Sequence, residues 1–268
     1  METMDAKSYI TGVFDRAAQT YDKVDVDFFL PMAKELVRRA DLKPTDDVLD
    51  VGCGRGAALV EAAKTARTVV GTDLAPTMVE LTKKDAPANA TVRIGDAEEP
   101  DFPDRSFDVV TANLVIFFLP DPAKALRNYA RILRPGGRVV FNSFAAEDER
   151  FAKAVEAMAK FTGYERPPRN PVFDTPESLL ELLTGNGFEG RVEELAFESR
   201  LKDPEQWLEW MWTHGGRALL EAVPEETMPE ACAAAFAEIE KARGPRGDLV
   251  LTTRMRFTTG TLATRRTT

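Results

Sequence analysis

The residues best placed to do chemistry are Asp50-Val51-Gly52-Cys53-Gly54-Arg55-Gly56. An apolar strand from Val48 to Val51 carries an acid near its end and spills into a glycine-rich turn. Ala57 to Lys64 follows with the composition of a helix. Glycines allow the left-handed backbone such a turn needs, and without a Cβ they let a ligand lie against the main chain. A dinucleotide fingerprint has the spacing G-x-G-x-x-G and sets a pyrophosphate on the helix N-terminus. Here the spacing is G-x-G-x-G, and Asp50 would repel a phosphate while tolerating a cation. A second acid, Asp73, closes the next apolar run, Thr68 to Thr72, about twenty residues downstream, where a carboxylate accepts both ribose hydroxyls of an adenosine. A helix N-cap is the plain alternative for Asp73.

At this corner the chain resembles motif I of the class I S-adenosylmethionine-dependent methyltransferases, E/D-x-G-x-G-x-G, matched by Asp50, Gly52, Gly54 and Gly56. The resemblance implies S-adenosylmethionine as cofactor, whose sulfonium and ammonium suit the acid. Leu74 and Met78 would then flank the adenine, although Met78 serves equally as core filler. By the same resemblance Asp96 and Ala97, at the acidic exit of the strand Thr91 to Ile94, address the adenine amino group and ring. Asn113 ends the strand from Phe107, at the edge where open α/β sheets bind ligands. It does not continue as the Asn-Pro-Pro-Tyr of amino-methylating nucleic-acid enzymes. Phe14-x-x-Ala-Ala-x-x-Tyr21-Asp resembles the N-terminal segment that covers the cofactor in small-molecule methyltransferases, which makes Tyr21 a cofactor contact. The helix stop Leu133-Arg134-Pro135-Gly136-Gly137 resembles the family as well.

No triad, metal-ligand spacing or G-x-S-x-G nucleophile is visible, so the metal expectation is none. The only histidine, His214, follows Trp207, Trp210 and Met211 on one face of an expected helix. That stripe is read as core or, alternatively, as a pocket for a flat aromatic acceptor with His214 as polar contact or general base. A carboxylate acceptor needs no base; a phenol, with pKa near ~10, benefits from one. Glu209 to Glu221 resembles cap segments of bacterial polyketide-tailoring methyltransferases, among them the aklanonic acid methyltransferases that esterify anthraquinone carboxylic acids.

The elements that must position these residues alternate strand and helix, as a doubly wound sheet requires. Two helices are expected between residues 7 and 40. Beyond Phe141, helices are read over 147–162 and 175–185, and a proline-rich linker over Arg166–Pro171. A strand over 188–197 precedes helical segments over 207–217 and 225–242, and a closing strand spans 249–259. The resemblance implies α/β architecture: a seven-stranded Rossmann-like sheet of order 3-2-1-4-5-7-6, strand 7 antiparallel, with a helical cap. One domain is expected, with its core over about 41–143, 172–200 and 248–268. The lid elements cover 1–40, 144–171 and 201–247.

With 35 basic against 44 acidic residues, a net charge of −9 argues against nucleic acid or anionic membrane as partner. Met1 to Ser8 lacks the apolar core of a signal peptide, and no run approaches the ~18 apolar residues of a spanning helix. Two cysteines suit a reducing cytoplasm. The expected activity is S-adenosylmethionine-dependent O-methylation of a small aromatic or polyketide-like acceptor by a monomer or homodimer. C-methylation of a quinone-like ring is the rival within the fold. A non-methylating cyclase that retains the cofactor and an NAD-dependent dehydrogenase are the rivals outside it.

Overall fold

The computed structural model of the protein describes residues 6–164 and 169–263. Met1 to Asp5 of the polar N-terminal stretch, and Arg166 to Pro168 of the expected linker, lie outside the described residues.

Two helices come first, α1 (Ala6–Ala17) and α2 (Phe29–Ala40). The sheet begins with β1 (Asp47–Val51), α3 (Ala57–Ala63), β2 (Thr68–Asp73), α4 (Pro76–Asp85) and β3 (Ala90–Ile94). It continues with β4 (Phe107–Ala112), α5 (Pro122–Ile132) and β5 (Leu133–Ala146). Helices α6 (Glu149–Ala159) and α7 (Pro176–Gly185) lead to β6 (Phe188–Leu201). Then α8 (Pro204–Met211), α9 (Arg217–Leu220) and α10 (Met228–Ile239) precede β7 (Leu249–Leu262). The strand order is β3-β2-β1-β4-β5-β7-β6, with β7 antiparallel to both neighbours and the remaining pairs parallel. This is the order the resemblance implies.

The central strands are apolar on both faces because helices cover both. Side chains alternate with the pleat. Val48, Val109 and Val140 join the core beneath α2 and α3, while Leu49, Val110, Val139 and Phe141 join the core beneath α5 and α7. Local chemistry starts the helices where the sequence suggests. Asp121 accepts from Lys124 N at 2.8 Å, Asp203 accepts from Gln206 N at 2.8 Å, and Thr175 and Ser178 form a capping box.

Boundaries beyond β4 depart from expectation. β5 starts at Leu133 instead of Arg138, because Leu133 already pairs with Phe107 across a register shift. β6 and β7 each run past their expected ends, since every residue from Phe188↔Leu262 to Leu201↔Leu249 finds a partner. A hydrogen-bonded partner, more than β-propensity, decides where such strands stop. The expected helix over 207–217 breaks after Met211. Gly216 then brings the backbone onto that residue: a Cβ there would lie 2.6 Å from Met211 Cε and 3.0 Å from its carbonyl oxygen. The expected 147–162 and 225–242 helices shorten to α6 and α10. The ends of the latter tighten into 3-10 turns at Glu225–Thr227 and Glu240–Ala242.

Candidate active site

The turn after β1 holds Gly52, Gly54 and Gly56 at φ of 59°, 49° and 85°. Two of these glycines have opposite surroundings. A Cβ on Gly52 would stand 2.4 Å from Val115 Cγ2, whereas a Cβ on Gly54 would meet nothing within 4 Å. Gly54 borders a cavity that is open to solvent on one side.

That cavity draws together residues singled out along the sequence. Gly52, Gly54 and Asp73 line it at the sheet edge, Leu74 and Met78 where α4 begins, and Asp96 and Ala97 beyond β3. Asn113 borders it from the end of β4 and Tyr21 from the segment after α1. Asp50 lies behind the turn instead of on the cavity wall, almost completely buried. Trp207, Trp210, Met211 and His214 do not line the cavity; the first three are buried in the core shared with α2, α6 and α10.

The acids differ in state. Asp73 accepts backbone N–H groups from Gly54 and Ala75, each at 2.9 Å. Burial raises its pKa, opposed by those N–H donors. Asp50 accepts the Thr111 hydroxyl at 2.7 Å through Oδ1, a pair the β1–β4 register sets side by side. Its Oδ2 is buried without a partner. Burial pushes Asp50 up to about 7, with Asp73 adding repulsion that the Thr111 bond offsets. Asp96 accepts from Glu98 N at 2.8 Å and from Lys7 Nζ at 2.8 Å, and Lys7 also reaches Glu98 at 3.2 Å.

At the end of β4 the chain is pinned by Asn142 of β5, a fully buried residue. Asn142 accepts from Leu114 N at 2.6 Å and donates to Asn113 Oδ1 at 2.8 Å. The bonds hold Leu114 at φ 60°, a left-handed conformation costing about 1 kcal/mol or more for a residue with a side chain. Val115 is thereby set over Gly52.

An aromatic cluster runs from this cavity to α8. Phe14 packs edge-on against Phe118, which continues through Phe117 to Phe144 and Phe28. Tyr21 stacks on Phe29 at 4.5 Å, and Phe29 meets His214 at 6.1 Å. Trp210 touches both Phe28 and His214. His214 is half-buried, yet its Nε2 is sealed from solvent without a partner, and burial lowers its pKa to about 4.

Sequence reasoning missed Lys7, Asn142, Phe28 and Phe29. Lys7 meets Asp96 only through the tertiary fold and leaves no local signal. Phe118 and Leu119, beyond the end of β4, also line the cavity.

A family profile described as a methyltransferase domain matches residues 49–141. The chain is 36% identical to nocamycin O-methyltransferase of Saccharothrix syringae over 278 aligned residues, covering 93% of this chain and 97% of that protein. The chain belongs to the class I S-adenosylmethionine-dependent methyltransferases. The methyltransferase is also 42% identical to aklanonic acid methyltransferase DauC of Streptomyces sp. strain C5, over 53% of this chain and 68% of that one. In fold it resembles Haemonchus contortus phosphoethanolamine N-methyltransferase 2, solved with S-adenosylhomocysteine, at a TM-score of 0.63 and 18% identity. That likeness covers 98% of this chain and 61% of the other.

S-adenosylmethionine is the cofactor of the methyltransferase, and the cavity suits it. The bare face of Gly54 gives room against the main chain, and the Asp50 carboxyl behind the turn keeps one buried oxygen without a partner. No helix among the described residues is long and apolar enough to cross a membrane.

Proposed function

We propose that the methyltransferase methylates an oxygen of a small, aromatic, polyketide-like acceptor seated among the rings between the cavity and α8. The observation that carries this reading is the unbroken aromatic path from Phe14 and Tyr21, on the cavity, to Trp210 and His214. Flat rings stack on such walls, and few polar groups are then needed to orient them. One relative is named an O-methyltransferase and the other is named for an acid acceptor, which supports transfer to oxygen.

When bound, S-adenosylmethionine supplies a methyl carbon made electrophilic by its sulfonium. The chain's part is positioning and desolvation. Asp73, already fixed by two backbone donors, would accept the ribose hydroxyls. Gly52 and Gly54 would pass the ligand close to the backbone, and the charge of Asp50 would favour its ammonium. Leu74 and Met78 would hold the adenine faces, with Asp96 and Ala97 at its amino edge. Asn113 and Tyr21 would border the methyl end. Trp210 and His214 face the acceptor side in this assignment, while Trp207 and Met211 back them from the core.

Incubation with S-adenosylmethionine and anthraquinone-2-carboxylic acid, followed by mass spectrometry and NMR of the product, tests the reading. A methyl ester is the expected product. A methyl on ring carbon would replace O-methylation by C-methylation, and a rearranged acceptor of unchanged mass would reveal a cyclase.

A further inference from the structure

Helix α4 reaches the glycine turn from behind, with a residue that nothing in the turn's own sequence announces. Met78, Thr82 and Asp85 follow one another at helical spacing along α4, so they share a face. Met78 lines the cofactor cavity, Thr82 meets the turn, and Asp85 holds Arg55. A threonine inside a helix commonly returns its hydroxyl to the carbonyl one turn earlier. Thr82, only 1% exposed, instead donates its hydroxyl to Gly54 O at 2.7 Å, across 28 positions of sequence.

The neighbours leave that hydroxyl one way to point. Arg55 Nη1 approaches Thr82 Oγ1 at 3.4 Å, and Arg55 Nη2 bonds Asp85 at 2.8 Å. A guanidinium can only donate, so the hydroxyl proton is left for the carbonyl of Gly54. Among the described residues the other donor near that carbonyl is Cys53 Sγ, a weak one at 3.9 Å.

Gly54 is thereby held from both sides of its Cα. Its N–H donates to Asp73 Oδ2 at 2.9 Å, while its C=O accepts from Thr82. Fixing the two flanking peptides sets both φ and ψ, at the residue type that otherwise leaves them most free. The same residue turns a bare face to the cavity, with nothing within 4 Å of where a Cβ would lie.

We propose that Thr82 is a positioning residue for S-adenosylmethionine, acting through Gly54. Its hydroxyl holds the Gly54–Arg55 peptide in the orientation the ligand meets, so the turn is shaped before the cofactor arrives. Without that bond the peptide can rotate, and each binding event must first order the turn and re-aim Asp73. The inference stands on the cofactor alone and needs no assumption about the acceptor or the atom methylated.

Thr82 makes a second contact that the test must separate from the first. A Cβ on Gly56 would come within 3.0 Å of Thr82 Cγ2, so that methyl lies close against the turn. Thr82→Val keeps the methyl and removes the hydroxyl, whereas Thr82→Ser does the reverse. Calorimetric titration of the full-length variants with S-adenosylhomocysteine compares them. Thr82→Ser should bind within about threefold of wild type, and Thr82→Val roughly tenfold more weakly, the scale of one hydrogen bond. Thr82→Ala adds no bulk, should bind no better than the valine variant, and replaces it if valine disturbs the fold. Hydrogen exchange over residues 52–56 without ligand should be faster in Thr82→Val than in Thr82→Ser. Wild-type affinity in Thr82→Val or Thr82→Ala, or a serine variant as weak as the valine one, would overturn the proposal and leave Thr82 a packing residue.

Discussion

Asp50 is the residue at which burial and function pull in opposite directions. A carboxyl with one bonded oxygen and one orphan, pushed up to about 7 by burial, gives up its proton less readily than an exposed acid. Placing the cofactor's ammonium nearby favours the ionised form, so binding releases a proton below that pKa. Affinity for S-adenosylhomocysteine should therefore climb as pH rises from about 5.5 to 7, by up to about tenfold per unit, and level off above. It should decline again as the ligand's own amino group, with a pKa near ~8, loses its proton. Calorimetry in buffers of different ionisation enthalpy reads both the affinity and the proton. Asp50→Asn should flatten the acid limb, and an unchanged limb in that variant would assign the titration elsewhere.

At the scale of elements, the glycine turn is squeezed from one side and open on the other. Gly52→Ala forces a Cβ into Val115 at a left-handed φ. Overpacking and strain together should cost about 1–3 kcal/mol and lower the melting temperature. Gly54→Ala meets no protein atom, so it should melt closer to the wild type yet bind S-adenosylhomocysteine much more weakly. Thermal melts with and without ligand separate the two outcomes; a fully stable Gly52→Ala would contradict the packing described. This turn was readable from the sequence because its whole signal is local: an acid, alternate glycines, and a strand and helix on either side. Asp73, Asp96 and Asn113 were readable for a related reason, since each ends a parallel strand and parallel strands deliver their carboxyl ends to one edge. Asn142 lies mid-strand in an apolar run and gains its partners only when β4 and β5 pair. The break after Met211 was hidden too, because helical periodicity does not record how closely Gly216 approaches its neighbour. Trp207, Trp210 and Met211 share the expected stripe, yet all three are buried in the core and none lines the cavity, a distinction helical spacing does not record.

Across the whole molecule, opposite ends of the sheet carry charges of opposite consequence for stability. Away from the cavity, Asp47 at the start of β1 is gripped by Arg67 and Arg134, and Arg134 also holds Asp108. These contacts hold Asp47 down at about 2, chiefly through Arg67. A depressed carboxylate stabilises the fold above its unfolded pKa, near ~4, and loses that contribution as pH falls through its folded value. Asp50 acts with the other sign: its raised pKa makes the unliganded fold progressively less stable between roughly pH 4 and 7. Denaturant melts should show Asp47→Asn removing stability at neutral pH but little near pH 2, and Asp50→Asn adding stability at pH 7 without ligand. Reversal of either sign would show that the group's surroundings have been misassigned.

Helix α1 touches both halves of this machinery. Lys7 is tied to Asp96 beyond β3, Asp15 accepts from Thr77 N at 2.7 Å where α4 begins, and Arg16 pairs with Glu221 just past α9. The same helix supplies Ile10, Thr11 and Phe14 to the cavity wall. One helix thus walls the cavity while its own position rests on charge pairs to separate elements, so raising the salt of the medium should loosen a side of the cavity that no apolar change has touched.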